Sequence, residues 1–451
     1  MERPPLSSSS FHRLRRYCLI LARAFLAGPW ERQGLVERGR ATVQRKAKWL
    51  DSAAKRAMEA FPTCAALREA RLADHLAGDP DVLKAATSGR VPLRPQALVD
   101  LRPEMRPPPG PSAAWSVPAI ATPAELAAFC DVSPVQLEGL ADCQGRERRT
   151  PREPLRNYRY RAFPKASGGF RIIEAPKPRL RRMQRLLLDE ILAKIPAHEA
   201  AHGFRPGRSV MSFVERHVGR HVVLKMDLAD FFPSITAARV LAIFMTAGYP
   251  EDVAKLLAGL CTNAVPMHLE RLLGGTPVGD WRSRKLLAGP HLPQGAPTSP
   301  ALANLAAYRL DLRLDALARS AGAHYTRYAD DMVFSGDESF ARSAGRFALS
   351  VSAIALEEGL AVRNRKTRVM RRGVRQRAAG IVLNERPKIP RDDYDKLKAT
   401  LHNCLRHGPA GQNRDGHMDF RAHLLGRIAY VARIHPGRGE RLMRSFDRIT
   451  W

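Results

Sequence analysis

The sequence predicts an α+β fold, with a mixed core between two helical regions. Segments with strand character occur at 157–175, 222–226 and 323–335. Helical patterns rich in alanine, leucine and arginine cover 11–83 and 391–451 instead. Strands gathered in the middle of a chain and helices at its ends are typical of α+β proteins. The 451 residues are enough for two or three domains.

The composition indicates a polyanionic partner. The formal net charge is +30 and the pI is near 10.8, which favours nucleic acid. A membrane surface is the alternative, but the apolar stretch at 17–27 contains Arg23 and falls far short of the ~20 residues of a spanning helix. Arginines ahead of this stretch give it only a superficial likeness to a signal peptide. We therefore expect no membrane partner.

Cysteine usage agrees with a cytoplasmic location. The chain has six cysteines, and they are scattered without a Cys-x-x-Cys pair. This pattern is typical of buried thiols in a reducing compartment and argues against a zinc site or a disulfide framework.

The first 114 residues are expected to form an N-terminal extension and a linker. Residues 1–103 form the extension: 1–10 are rich in proline and serine and predict disorder, and helices follow. A basic cluster between Arg38 and Arg56 is explained equally well by a solvated helix face or by contact with RNA. Residues 104–114 are rich in proline, which favours an extended linker.

Helices and strands of the core follow from caps and periodicity. Thr122 and Pro123 predict a helix start, and this helix should run to about Cys130, with a second helix at 134–141. Residues 157–175 predict two strands around Gly168-Gly169, and 180–195 an amphipathic helix with a basic start. Further helices are predicted from 210 and at 250–260, 299–319 and 340–358, and the basic segment 262–291 is predicted to be irregular.

Three aspartates carry the chemical signal. Alternation on both sides of Ala329-Asp330 predicts a β-hairpin with Asp330 and Asp331 at its tip, and the buried strand at 222–226 ends at Asp227. An isolated Asp-Asp pair would be an ordinary turn, but a strand end beside this tip would gather three carboxylates. Such a cluster repels itself unless cations neutralise it. Its oxygens suit Mg²⁺, and two ions roughly 4 Å apart promote phosphoryl transfer.

These segments together resemble the reverse transcriptases. The Tyr-Ala-Asp-Asp hairpin and the strand ending at Asp227 are joined, in the family's order, by segments at 163–173, 292–300 and 359–367. The stretch His-Gly-Phe-Arg-Pro-Gly-Arg-Ser at 202–209 is similar to bacterial retron reverse transcriptases. The resemblance implies a right-hand polymerase, with fingers and palm at 115–385, a ferredoxin-like palm sheet, and a helical thumb at 386–451.

The resemblance also assigns nucleotide-binding roles. Lys165 and Arg171 on the fingers hairpin would contact the triphosphate of the incoming nucleotide, since cations suit phosphate oxygens. Phe232 takes the position of the steric gate that excludes ribonucleotides; the alternative is a core aromatic. Gln294 would contact the template-primer or nucleotide, and Gly295 would permit close backbone approach.

Metal-binding and catalytic roles follow in the same way. Asp227, Asp330 and Asp331 would hold two Mg²⁺ ions with the backbone carbonyl of Leu228. Lys366 would act either as general acid toward the leaving pyrophosphate or as a phosphate contact.

Primer and RNA contacts are expected on the C-terminal side. Gly380 lies in the segment that resembles the primer-gripping hairpin, where Ala378-Ala379-Gly380 replaces the family's Val-Thr-Gly. Arg391 and Arg427 belong to the arginine-rich thumb. The family's Asn-Ala-x-x-His signature is matched by Asn263, Ala264 and His268, with one residue more between them.

The resemblance implies an RNA-directed DNA polymerase of retron type. Its partners would be deoxynucleoside triphosphates and a structured non-coding RNA that serves as template, with a guanosine 2′-hydroxyl as primer. The product would be a short single-stranded DNA joined to RNA, with a role in phage defence and a separate effector protein. One alternative is another lineage, of group II intron or diversity-generating type; against an intron protein, no Cys- or His-rich nuclease tail follows Trp451. Another is a catalytically silent RNA-binding protein, which the intact aspartates and Gln294 argue against.

Overall fold

The chain divides into two compact units, Met1–Glu104 and Met105–Trp451. The computed structural model describes residues 8–43, 47–63, 67, 69–87, 104–106, 114–164, 170–273, 275 and 280–451. Lys165, the Gly168-Gly169 turn and most of the expected linker lie outside the described residues. Among the helices that are described, none combines the length and the apolar character needed to cross a membrane.

The first unit is a bundle of helices with its own apolar core. Its described helices are α1 (Ser8–Leu26), α2 (Arg32–Val43), α3 (Trp49–Ala60), α4 (Glu69–Ala77) and α5 (Pro80–Thr87). Leu21 and Phe25 of α1 pack with Leu50 of α3 and Leu72 of α4. Because α1 begins at Ser8, the disorder predicted as far as residue 10 is wrong at its C-terminal end.

Two cations of the basic cluster hold this bundle together. Arg38 donates hydrogen bonds to the carbonyl oxygens of Ala24 and Phe25, both at 2.9 Å, near the end of α1. Arg56 forms a bidentate pair with the buried Asp79, at 2.7 and 2.9 Å. Both guanidinium groups therefore serve the fold of the unit, a role that neither interpretation of the cluster anticipated.

The second unit begins with the fingers. Its first elements are α6 (Pro123–Phe129), α7 (Pro134–Ala141), α8 (Arg146–Arg149), β1 (Tyr158–Pro164), β2 (Phe170–Pro176), α9 (Pro178–Glu190) and α10 (Val210–Glu215). The Thr122 hydroxyl accepts the Glu125 N–H at 3.1 Å, which confirms the predicted helix start. Strands β1 and β2 form an antiparallel hairpin in which Phe163 lies opposite Arg171.

The palm is built on a four-stranded antiparallel sheet. Its strands are β3 (Val222–Asp227), β4 (His324–Tyr328), β5 (Asp331–Gly336) and β6 (Arg368–Arg371), in the order β4-β5-β3-β6. The accompanying helices are α11 (Ala237–Thr246), α12 (Glu251–Cys261), α13 (Leu269–Leu272), α14 (Trp281–Ala288), α15 (Ser299–Ala306), α16 (Tyr308–Ser320) and α17 (Glu338–Glu357).

Three features of the palm differ from the prediction. Helix α11 was not predicted. The single helix expected at 299–319 is two helices, interrupted at Ala307, where ψ is 4°. The segment 262–291 is not wholly irregular, because it contains α13 and α14. It buries Val265, Leu269 and Leu287 against Ile172 of β2, so apolar residues spaced along a basic segment give it a small core.

Alternation along β3 and β5 separates the apolar core from the chemistry. Leu224, Met226 and Phe334 face the large core shared with α16 and α17. The intervening residues face the other side, where Val223 and Val333 pack on α10 and on the hairpin of β7 (Arg377–Ala378) and β8 (Ile381–Val382). Since side chains alternate along a strand, Asp227 and Asp331 lie on this second face.

The thumb consists of three helices with a core of their own. They are α18 (Arg391–His407), α19 (Phe420–Ile434) and α20 (Pro436–Phe446). Leu401 of α18, Leu424 and Ile428 of α19, and Phe446 of α20 are buried together. Their apolar residues recur at helical spacing, which is why the sequence pattern predicts helices here.

Candidate active site

The sheet register brings the three aspartates together. Asp227, the last residue of β3, lies directly opposite Asp331, the first residue of β5. Residues opposite each other on antiparallel strands are neighbours on one face. Asp330 lies in the turn between β4 and β5, and its carbonyl oxygen accepts the N–H of Leu228 at 2.9 Å. The end of β3 is thus attached to the turn, as the pattern of strand and hairpin predicts.

Burial and mutual repulsion shape the electrostatics of this cluster. Burial, followed by the negative charges of Asp227 and Asp331, raises the pKa of the Asp330 carboxyl. Asp227 is 3% exposed, and its Oδ1 has no hydrogen-bond partner among the described residues. A buried carboxylate oxygen without a donor is costly, so this atom has capacity for a further cationic ligand.

Three cations surround the carboxylates. Lys366 Nζ lies 2.8 Å from Asp227 Oδ2, and an Arg363 nitrogen lies 3.5 Å from Asp227 Oδ1. Lys225 Nζ lies 3.0 Å from Asp331 Oδ1. Within the described ranges, no group of three or more histidine, cysteine, aspartate or glutamate side chains is positioned to hold a metal ion. Sequence reasoning missed Lys225, although a charged residue inside the apolar run of β3 was a usable signal.

A buried arginine supports the turn that carries Asp330. Ala329 has a φ of +55°, a conformation that non-glycine residues seldom adopt. Arg327 Nη1 donates to the Ala329 carbonyl oxygen at 3.0 Å and to Asn304 Oδ1 at 3.1 Å. The same guanidinium forms a bidentate pair with Asp311 of α16, at 2.7 and 2.6 Å. Both partners are fully buried, so the turn is fixed from inside the protein.

Phe232 lies in the loop that leaves β3. It is half-buried, whereas the adjacent Phe231 is 3% exposed. Phe231 packs beneath the Arg327 guanidinium, 5.5 Å from its ring centroid, and Phe232 meets Phe231 edge-on at 5.8 Å. The core aromatic of this pair is thus Phe231, and part of the Phe232 ring remains accessible.

The fingers hairpin presents a basic groove. Alternate residues of β1 and β2 share one face, and this face meets the first turns of α9 to enclose about 600 Å³. Arg171 is exposed opposite Phe163 at the end of the hairpin. The cations that line the groove are Arg159, Arg161, Lys177, Arg181, Arg182 and Arg185.

Gln294 and Gly295 adjoin the base of the same hairpin. The Gln294 carbonyl oxygen accepts the Glu174 N–H at 2.8 Å. Gly295 has a φ of +133°, and a Cβ atom there would lie 2.9 Å from the Glu174 carbonyl oxygen. The close approach predicted for Gly295 is therefore present, but its neighbour is the protein's own β2 backbone. The Gln294 side chain is left half-buried.

Comparison with known proteins decides the family. Residues 163–398 match the profile described as reverse transcriptase (RNA-dependent DNA polymerase). The chain belongs to the reverse transcriptase family. It is 45% identical over 296 residues to the Retron Mx65 reverse transcriptase of Myxococcus xanthus, covering 65% of each chain. With the Retron Mx162 reverse transcriptase of the same organism, identity is 37% over 302 residues, covering 64% of this chain and 60% of that one.

A third relative is matched over a larger share of its length. Identity to the Retron Ec86 reverse transcriptase of Escherichia coli is 31% over 298 residues, covering 65% of this chain and 82% of the relative. This reverse transcriptase is therefore of retron type. The matched region of the chain spans 65% of the length of the Mx65 relative and 60% of the length of the Mx162 relative.

A buried polar network joins β2 of this reverse transcriptase to the two ends of the 262–291 segment. Glu174 of β2 accepts hydrogen bonds from Asn263 Nδ2 at 2.6 Å and from His291 Nε2 at 3.0 Å. Burial by itself would lower the pKa of His291, but the charge of Glu174 and its hydrogen bond leave that pKa raised. Asn263, part of the predicted family signature, therefore faces inward. The network fixes the 262–291 segment beside the Gln294 loop, and sequence reasoning did not find it.

The residues predicted to contact primer and RNA lie on different elements from the three aspartates. Gly380 and Ala379 both have positive φ, at 81° and 46°, and form the turn between β7 and β8. Arg391 is the first residue of α18 and its side chain is 90% exposed. Arg427 is half-buried on α19. Lys165, predicted to contact the triphosphate, lies outside the described residues.

Proposed function

We propose that this reverse transcriptase copies RNA into DNA, with Mg²⁺ held by Asp227, Asp330 and Asp331. The observation that carries the proposal is the sheet register, which places Asp227 opposite Asp331 and beside the turn that holds Asp330, together with a buried Asp227 oxygen that accepts no hydrogen bond from the described residues. Carboxylate oxygens suit Mg²⁺, which takes substrate phosphates among its remaining ligands. The carbonyl oxygen of Leu228 would complete the protein's donor set for two ions.

The bound metal would supply charge neutralisation at the transferring phosphoryl group. The protein's own contribution is to hold the carboxylates in place. Asp331 is fixed by its strand pairing and by Lys225, and Asp330 by the turn that Arg327 supports. Rigid positioning of this kind accounts for much of the acceleration in phosphoryl transfer.

Lys366 is proposed to protonate the leaving pyrophosphate or to bind its phosphate. Its Nζ lies 2.8 Å from Asp227 Oδ2, so the ammonium group lies beside the carboxylates that are proposed to bind Mg²⁺. A Lys366→Arg variant separates the two roles: arginine retains a phosphate contact, but its pKa is too high for efficient proton donation.

Nucleotide and template are proposed to bind on the fingers side. Arg171, with Lys165, would bind the triphosphate, and Phe232 would exclude the ribose 2′-hydroxyl. Gln294 would contact the nucleotide or template-primer. The groove of about 600 Å³ beside β1 and α9 offers several guanidinium groups, which suit a template backbone. Gly380 of the β7–β8 hairpin, and Arg391 and Arg427 of the thumb, would contact primer and RNA.

The biological setting is proposed from the similarity to retron reverse transcriptases. The template would be a structured non-coding RNA, primed from a guanosine 2′-hydroxyl, and the product a short single-stranded DNA joined to RNA. We propose a cytoplasmic role in phage defence with a separate effector protein. The high positive charge of the chain supports the RNA partner.

Primer extension on a defined RNA template tests the function. The unaltered chain should add deoxynucleotides in the presence of Mg²⁺, and Asp227→Ala, Asp330→Ala and Asp331→Ala should each lose synthesis while retaining RNA binding. Loss of the clamp should cost several kcal/mol of barrier, roughly a thousandfold or more in rate. RNA binding without synthesis by the unaltered chain would favour the catalytically silent alternative instead.

A further inference from the structure

Phe204 combines backbone strain with an exposed aromatic ring. Its φ is +61°, a conformation that is uncommon outside glycine, asparagine and aspartate and is costly for a bulky residue. The residue remains 50% exposed, so burial offsets this strain less than it would for a core residue. Strained residues of this kind concentrate at functional sites.

The segment before Phe204 is attached to the catalytic turn. The His202 N–H donates to the Arg327 carbonyl oxygen at 2.8 Å, and Asn304 Nδ2 donates to the Gly203 carbonyl oxygen at 2.8 Å. A Cβ atom at Gly203 would lie 2.8 Å from the Ala329 nitrogen, so only glycine allows this approach. The position of Phe204 is therefore tied to the position of the aspartates.

The segment after Phe204 is fixed as well. Arg205 Nη1 donates to the carbonyl oxygens of His198 at 2.8 Å and Ala201 at 3.1 Å. With both flanks held by hydrogen bonds, the left-handed conformation of Phe204 is imposed by its surroundings.

The ring of Phe204 is directed at the proposed gate. It meets Phe232 edge-on, with centroids 6.4 Å apart, and Tyr328 at 6.1 Å. Tyr328 packs in turn against the buried Phe213 at 5.6 Å. Phe232 thus contacts the first of three aromatic rings, Phe204, Tyr328 and Phe213, and the last of them is buried in the core. The edge-to-face arrangement of Phe204 and Phe232 is favourable and directional.

We propose that Phe204 is a specificity-determining residue that positions Phe232 against ribonucleotides. This inference rests on the proposed function, because Phe232 selects sugars only if the chain polymerises nucleotides. Without the Phe204 ring, Phe232 can turn away from a 2′-hydroxyl. We expect the preference for deoxynucleotides to fall by roughly two- to tenfold, the range that corresponds to one aromatic pair.

The test measures kcat/KM for one deoxynucleotide and its ribonucleotide on the same RNA template. Phe204→Ala removes the ring, and Phe204→Gly also relieves the backbone strain, so the second variant guards against misfolding. Phe204→Tyr keeps the ring and should retain the discrimination of the unaltered chain. Leu349→Ala, on the exposed face of α17 at 73% exposure, is the matched surface control.

The outcomes separate this inference from the proposed function. Weakened discrimination in both variants without the ring, and normal discrimination in Phe204→Tyr, would support it. Unchanged discrimination in both, while Phe232→Val loses it, would overturn the role of Phe204 and leave the polymerase intact. Absence of synthesis by the unaltered chain would overturn the proposed function and this inference together.

Discussion

Replacing Asp311 with asparagine removes the counter-ion of the buried arginine that supports the catalytic turn. Arg327 and Asp311 are both fully buried, and the guanidinium makes two hydrogen bonds to Asp311, one to Asn304 and one to Ala329. Asp311→Asn preserves the shape of the side chain but leaves the positive charge of Arg327 without its counter-ion. Removing one partner of a buried pair costs about 3–5 kcal/mol.

This cost should be visible in thermal unfolding. At roughly 2–4 °C per kcal/mol for a large domain, Tm should fall by about 6–20 °C. The matched control is Asp395→Asn, which breaks the exposed pair between Asp395 and Arg391 on α18. Exposed pairs contribute little, so this control should leave Tm nearly unchanged. Equal Tm values for Asp311→Asn and the control would refute the reasoning.

A double variant separates stability from positioning. Replacing both partners by apolar residues, as in Arg327→Met with Asp311→Leu, should recover part of the lost stability, because neither charge is then left unpaired. The recovery should be incomplete, because the buried Tyr325 hydroxyl loses the Asp311 oxygen that accepts its hydrogen bond at 2.8 Å. Nucleotide addition should remain impaired at temperatures where the protein is folded, since the Ala329 carbonyl loses the donor that holds the turn. Full recovery of both properties would show that the arginine serves stability alone.

Three further predictions address other parts of the chain. Phe232→Val should admit ribonucleotides far more readily while still using deoxynucleotides, measured by competition on one template; unchanged discrimination would assign the ring to packing. Deleting residues 1–103 should weaken RNA binding and make its affinity less dependent on salt. For six to ten phosphate contacts, affinity falls by about three to five orders of magnitude between 50 and 200 mM salt. Polymerisation on a supplied primer-template should persist, and full RNA affinity in the truncated chain would contradict the prediction. Burial lowers the pKa of His217 to about 3, below the unfolded value near 6.5. The free energy of unfolding should therefore fall as pH drops from about 6.5 toward 3. His217→Asn should weaken this pH dependence in denaturant titrations, and an unchanged pH dependence would exclude His217 as its source.

Three strands of the palm could be predicted from local pattern. Period-2 alternation identified β4 and β5, the buried strand at 222–226 corresponds to β3, and its end at Asp227 placed that residue beside Asp330 and Asp331. Caps were equally local: Thr122 begins α6 as expected. In each case the residues that determine the structure are close in sequence.

The rest of the site depends on partners that are distant in sequence. Lys225 meets Asp331, 106 residues later, and Glu174 meets His291, 117 residues later. Periodicity carries no information on such pairs. Gly295 illustrates the limit: its need for close approach was predicted, but the neighbour, Glu174, emerges only when β2 and the Gln294 loop are packed together.

The most direct test of the account compares Asp330→Asn with the unaltered chain in single-turnover addition of one deoxynucleotide to an RNA template-primer with Mg²⁺. The variant keeps the shape of the side chain and removes its charge. Asp337→Asn is the matched control, because Asp337 caps α17 at the exposed N-terminus and asparagine caps equally well. We predict a loss of roughly a thousandfold or more for Asp330→Asn and near-normal rates for the control. Near-normal addition by Asp330→Asn would contradict the assignment of the carboxylate cluster.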